Sequence, residues 1–276
     1  MTAPRVRGRR PWPRRGVLAR SLREERRGLV GWSVGIATYC VVMLSVFPSI
    51  HDNKSFAKIF EAYPEVFRKL FNVTDFTTGP GYLGAEIFSV IAPMLLALFA
   101  ILWGSDLAAG EEDRGTIDLL LANPVSRRRV VLEKWSALVL GTLWLGAVLE
   151  GTLGLLGPLF SLSVGWAGLS AAVLGSSAFA IAFATAALAV GAASGSRGLA
   201  RGVATALAVA SYLLSALAPL VSAFQRVVWL SLWDQALGHQ PLTTGLRPAN
   251  LSVLGVVVVV LLAVSLWSYD RRDLAT

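Results

Sequence analysis

The stretch Leu251-Ser-Val-Leu-Gly-Val-Val-Val-Val-Val-Leu-Leu-Ala-Val-Ser-Leu-Trp-Ser-Tyr269 runs for nineteen residues without a charge. Coiled as an α-helix at ~1.5 Å per residue it is about 28 Å long, close to the ~30 Å hydrocarbon layer of a bilayer. A barrel strand would alternate apolar and polar residues, and this run does not. Lipid offers the backbone no hydrogen-bond partner, so a segment of this kind must satisfy itself as a helix. Working outward, the same reading applies to Leu29–Pro48, Leu83–Leu107, Trp135–Phe160, Trp166–Ala193 and Val203–Phe224. The expectation is an all-α, polytopic membrane protein with six transmembrane helices. The third and fourth runs are long enough to require tilt or a kink.

Composition agrees. The chain is 55% hydrophobic and 15% charged, where a soluble domain carries about 25% charged residues. Its mean hydropathy is +0.62. Trp32, Trp103, Trp135, Trp166 and Trp267 fall near span ends, where interfacial anchors sit.

The charges set the orientation. Met1–Arg27, Ala108–Lys134, Ser194–Gly202 and the tail together hold nineteen Lys and Arg; the opposite side holds six. By the positive-inside rule both termini are cytoplasmic. The net charge of +8 is mostly this asymmetry, and anionic headgroups are a nearer partner for it than nucleic acid. The chain then divides into a basic cytoplasmic arm over 1–28, a transmembrane domain over 29–269 and a cytoplasmic tail over 270–276. The arm ends in a short amphipathic helix with Val17, Leu18 and Leu22 on its apolar side. Arg14-Arg15 is the pair of a twin-arginine export signal, but Arg20, Arg23, Glu24, Glu25, Arg26 and Arg27 interrupt any short apolar core. Cys40, the single cysteine, has no internal disulfide partner.

Catalytic patterns are missing. None of the four lysines follows a glycine, which excludes a Walker A loop, and two histidines cannot build HExxH in this arrangement. No enzyme activity, metal or cofactor is expected of the chain itself. The informative polar stretch is Ala109-Gly-Glu-Glu-Asp-Arg-Gly-Thr-Ile-Asp-Leu-Leu-Leu-Ala-Asn-Pro-Val-Ser-Arg-Arg-Arg129. Asn123 and Pro124 suit the cap and first turn of the helix that becomes the third span. A solvated loop would have no use for Ile117, Leu119, Leu120 and Leu121. A short apolar helix with acidic flanks is instead suited to a partner's groove.

Glu111/Glu112, Gly115-Thr116, Leu120-Leu121, Pro124 and Ser126-Arg127 resemble the signature of ABC-2 type transporter permeases. The resemblance covers nearly the whole chain, including the ending Tyr269-Asp-Arg-Arg-Asp-Leu274. It implies the fold of a type V exporter-like permease in the inner (plasma) membrane. It implies a second permease, identical or not, and two separate ABC ATPase subunits that bind the ATP and Mg. It also implies that Glu111, Glu112, Gly115, Thr116, Leu120, Leu121, Pro124, Ser126 and Arg127 form the coupling helix that contacts the ATPase. A secondary transporter or channel working without ATP is the alternative.

Two external segments depart from a minimal six-span chain. Within Ile50–Tyr82, Phe56, Ile59, Phe60, Tyr63, Phe67, Leu70 and Phe71 give one apolar helical face, an outer lid or a substrate contact. Gln225–Asn250 puts Trp229 and Trp233 on one helical face; in related permeases this region dips back into the membrane. Inside the lipid, Glu150 is expected near the middle of the third span. It either lines the translocation path with Trp229 and Trp233 or is bonded to a helix hydroxyl. Gly168, Ala172, Ser176, Ala180 and Ala184 recur every four residues on the fourth span, a stripe that permits close packing.

Overall fold

The computed structural model describes residues 16–51, 78–113 and 127–271. Those residues form helices and turns, with no strand among them. In order they are α1 (Val17–Glu24), α2 (Arg26–His51), α3 (Gly79–Leu83), α4 (Ile91–Asp113), α5 (Arg127–Leu156), α6 (Trp166–Ser194), α7 (Arg197–Leu217), α8 (Ser222–Gln225), α9 (Pro241–Thr244) and α10 (Pro248–Arg271). The aromatic face expected over Phe56–Phe71 lies outside the described residues.

Among the described residues six stretches are long and apolar enough to cross a membrane: Arg26–His51, Gly79–Leu107, Arg128–Phe160, Trp166–Ser194, Arg197–Leu217 and Pro248–Tyr269. The protein is a multi-pass helical membrane protein. The second span starts four residues before the expected Leu83. Thr78 accepts from the Gly81 N–H as an N-cap, and Pro80 follows in the first turn. A π turn, Gly84–Phe88, then leads toward α4.

The fifth span departs most from expectation. It begins at Arg197, not Val203, and ends at Leu217, not Phe224. The nine-residue loop expected over Ser194–Gly202 is a two-residue turn. Gly195 closes α6 at φ +69°, a left-handed conformation that costs glycine little. Ser196 immediately caps α7 by accepting from the Leu199 N–H. Arg197 and Arg201 therefore sit on a helix rather than in a loop. At the other end Pro219, two residues after Leu217, has no N–H with which to continue the ladder.

α6 is the centre of the molecule. In its most hydrophobic window 78% of residues are buried, against 11% for α10. The small-residue stripe explains this. Ala172, Ser176, Ala180 and Ala184 are all fully covered. A Cβ on Gly104 of α4 would overlap the backbone of Ala184. Cβ atoms on Gly168 and Gly175 would overlap the carbonyls of Leu242 and Ala236. Smallness here serves packing inside one chain.

Trp103 corrects the anchor reading. It is buried, packs edge-on against Phe99, and fills the space above Gly141. Trp135 is likewise pinned inward, its indole N–H donating to Thr185 Oγ1 at 3.0 Å. Trp267 remains exposed, as do Val256, Val259 and Val260 on the same helix. A face this apolar is stable facing lipid.

Candidate functional site

Polar side chains gather at two ends of the bundle. At the end rich in arginine, Asp106 sits on α4 shortly before the Glu111–Arg127 stretch. Arg201 Nη2 donates to Asp106 Oδ1 at 2.9 Å, and Arg201 Nε donates to Ser105 Oγ at 2.9 Å. Arg197 Nη1 stands 3.6 Å from the same carboxylate oxygen. The one-turn spacing of Arg197 and Arg201 along α7 puts both cations on the face toward α4. This cluster ties the start of the fifth span to the end of the second.

A second tie lies close by in sequence to Arg127. Glu133 Oε2 accepts from the Leu18 N–H at 3.2 Å, and Glu133 Oε1 accepts from Arg129 at 2.8 Å. The carboxylate thus meets the positive end of α1 and supplies a cap that Gly16 cannot. Leu18 and Leu22 of α1 pack against the core. Of the coupling residues expected from sequence, Glu111 and Glu112 fall in the last turn of α4 and Arg127 opens α5. Gly115, Thr116, Leu120, Leu121, Pro124 and Ser126 lie outside the described residues.

At the opposite end is a cavity of about 360 Å³. The chain after α7 folds back to build it. Phe179, whose ring stands 5.1 Å from that of Trp233, lies thirteen residues into α6. At ~1.5 Å per residue that is about 20 Å along the span, so this segment re-enters the bundle deeply. Ser231 holds its tip: Ser231 Oγ donates to Ser211 O at 2.6 Å, and Ser211 Oγ accepts from the Trp233 N–H at 2.9 Å. The π turn Asp234–Gly238 follows. Both π turns of the described chain therefore wall this one cavity, through Gly84 and Phe88 on one side and Asp234, Leu237 and Gly238 on the other. Single π turns concentrate at functional sites. Gln240, also in the wall, is held at φ +56°, a conformation that costs a non-glycine residue about 1–3 kcal/mol.

The expected single helical face of Trp229 and Trp233 is broken. Ser231 is extended between them, leaving Trp229 exposed while Trp233 is buried between Phe179 and Tyr212. Trp233 lines the cavity and Trp229 does not. Glu150 does not line it either. Its carboxylate accepts from Ser170 Oγ, one turn into α6. The third span starts at Arg128, so Glu150 lies toward this end rather than at mid-span.

Sequence reading passed over Asp234, the one acid among the described residues of the cavity wall, which faces Ser215 Oγ at 3.4 Å. The signal was a lone acid beside Trp233 in an aromatic stretch. Asp106 was equally legible as an acid at a span end.

Six helical spans with a segment folded back among them describe a polytopic membrane protein. The chain matches the family model of the ABC-2 family transporter protein over residues 17–274, and it belongs to that family. It is thus the membrane component of an ABC transporter, a component distinct from the ATPase. Comparison with curated proteins finds no match.

Proposed function

We propose that this chain is the permease subunit of an ATP-driven exporter in the inner (plasma) membrane. It pairs with a second permease and is powered by two cytoplasmic ATPase subunits that bind ATP and Mg. Family membership favours this over an ATP-independent transporter or channel. The observation that carries the coupling is the Asp106 cluster. The Glu111–Arg127 stretch, the proposed ATPase contact, leaves α4 just beyond Asp106, which Arg197 and Arg201 bind to α7. A push on that stretch would reach the fifth span through this ion cluster, and α1 through Glu133. Alternating access follows if α7 and the re-entrant segment it holds shift together, since Ser211 and Ser215 bond that segment directly. Trp233 lies on the translocation path in this reading, while Glu150 and Trp229 are outside the cavity that Trp233 lines.

The test is Leu120→Asp. A buried, unpaired carboxylate costs several kcal/mol, and ~1.4 kcal/mol already weakens binding tenfold. Purified from its own membranes, the variant should lose the co-purifying ATP-hydrolysing subunit or its coupled transport, while Ser222→Asp at the other end retains both. Full retention and full transport in Leu120→Asp would remove the coupling assignment.

A further inference from the structure

We propose that the cavity walled by Phe88, Tyr212 and Trp233 binds a hydrophobic organic cation, with Asp234 as its counter-charge. The proposal rests on the reading of this chain as a transport subunit and names the substrate class. At about 360 Å³ the cavity falls within the ~300–1,000 Å³ range of small-molecule sites. Among the described residues that line it none is Lys, Arg or His, so of these Asp234 alone brings a formal charge to the space. Among the described residues no Lys or Arg forms an ion pair with it; its side-chain partner is the neutral Ser215 hydroxyl. A carboxylate removed from water with one weak partner is costly, and a cation entering the cavity would relieve that cost.

The walls choose among cations. Rings of Trp, Tyr and Phe offer electron-rich faces to a positive group and apolar surface to its substituents. A hard metal ion needs about six oxygen ligands, and no group of three acidic, His or Cys side chains exists among the described residues. An organic anion would meet Asp234 and, among the described wall residues, no opposite charge. Gly238 keeps the acid in place, since a Cβ there would overlap Asp234 Oδ1. Both π turns contribute residues to the wall of the space.

Tetraphenylphosphonium and tetraphenylborate have one shape and opposite charge, and they provide the test. The full chain, purified with its ATPase subunits in lipid nanodiscs, should bind tetraphenylphosphonium saturably by equilibrium dialysis and show no saturable tetraphenylborate binding. Asp234→Asn should weaken cation binding roughly tenfold or more, in line with measured losses at close charge pairs. Asp234→Glu, which keeps the charge, should retain more of the affinity. Unchanged affinity in Asp234→Asn, or equal saturable binding of the two ions, would overturn the proposal. Should the variant fail to fold, the native protein decides. Tetraphenylphosphonium should shield Asp234 from dicyclohexylcarbodiimide, read by peptide mass, while leaving Glu150 labelled as before. Labelling of Asp234 unaffected by the cation would also overturn it. Retention of the ATPase subunit, scored in the same samples, reports on the permease reading separately from the ligand.

Discussion

At the scale of single residues, several positions are decided by the space one atom would occupy. Gly104 is the clearest. Its missing Cβ is where the Ala184 backbone passes, and backbone has no rotamer with which to move aside. Gly104→Ala should therefore destabilise the bundle by about 1–3 kcal/mol, the usual cost of overpacking. It should melt at lower temperature in nanodiscs. Gly35, also helical, has nothing within 4 Å of its would-be Cβ. There alanine should be neutral, or stabilising by about 1 kcal/mol through helix propensity. If the two variants melt alike, the α4–α6 approach is not as close as described. Both glycines look the same in the sequence; only the neighbour distinguishes them.

At the scale of elements, the junctions carry the information. The turn Gly195-Ser196 places two arginines on α7, and those arginines then find Asp106. Cap chemistry for this turn was present in the sequence as Gly-Ser. The charges of Arg197 and Arg201 masked it, because charge at a span end ordinarily marks a loop. α1 shows a cap that no local pattern announces. Gly16 has no side chain to cap with, and Glu133 supplies the carboxylate from more than a hundred residues away. Glu133→Ala should loosen α1 by about 0.5–2 kcal/mol, the usual worth of an N-cap. Faster amide exchange across Val17–Glu24, with α6 unchanged, is the expected result. Equal exchange in both proteins would mean that α1 is held by Leu18 and Leu22 alone.

At the scale of the whole molecule, the question is which end faces the cytoplasm. In a Cys40→Ser background, Thr244→Cys should react with an impermeant thiol reagent on intact cells and Ser126→Cys should not. The reverse pattern would invert the topology and move the Asp234 cavity to the cytoplasmic side. The six spans, their helical character and the family could be read from the chain because the demand that sets them is local. Any twenty apolar residues in hydrocarbon must close their own hydrogen bonds, whatever lies beside them. Span boundaries slipped where a charge was satisfied by a distant partner, as at Arg197 and Arg201. The coupling role expected of Glu111–Arg127 rests on resemblance to a family, and its residues from Gly115 to Ser126 lie outside the described residues. A place for Trp233 near an exit was an expectation from resemblance; its separation from Trp229 was not legible, since one extended residue resets the helical phase. What the sequence determined by itself was that six stretches are long, apolar helices and what solvent they suit. What the tertiary structure decided was which faces meet: Asp106 with Arg201, Ser170 with Glu150, and Asp234 with Ser215 inside a cavity. Those pairings depend on the rotation and depth of separate helices, and in lipid, where every apolar face is equally content, hydrophobicity cannot specify either one.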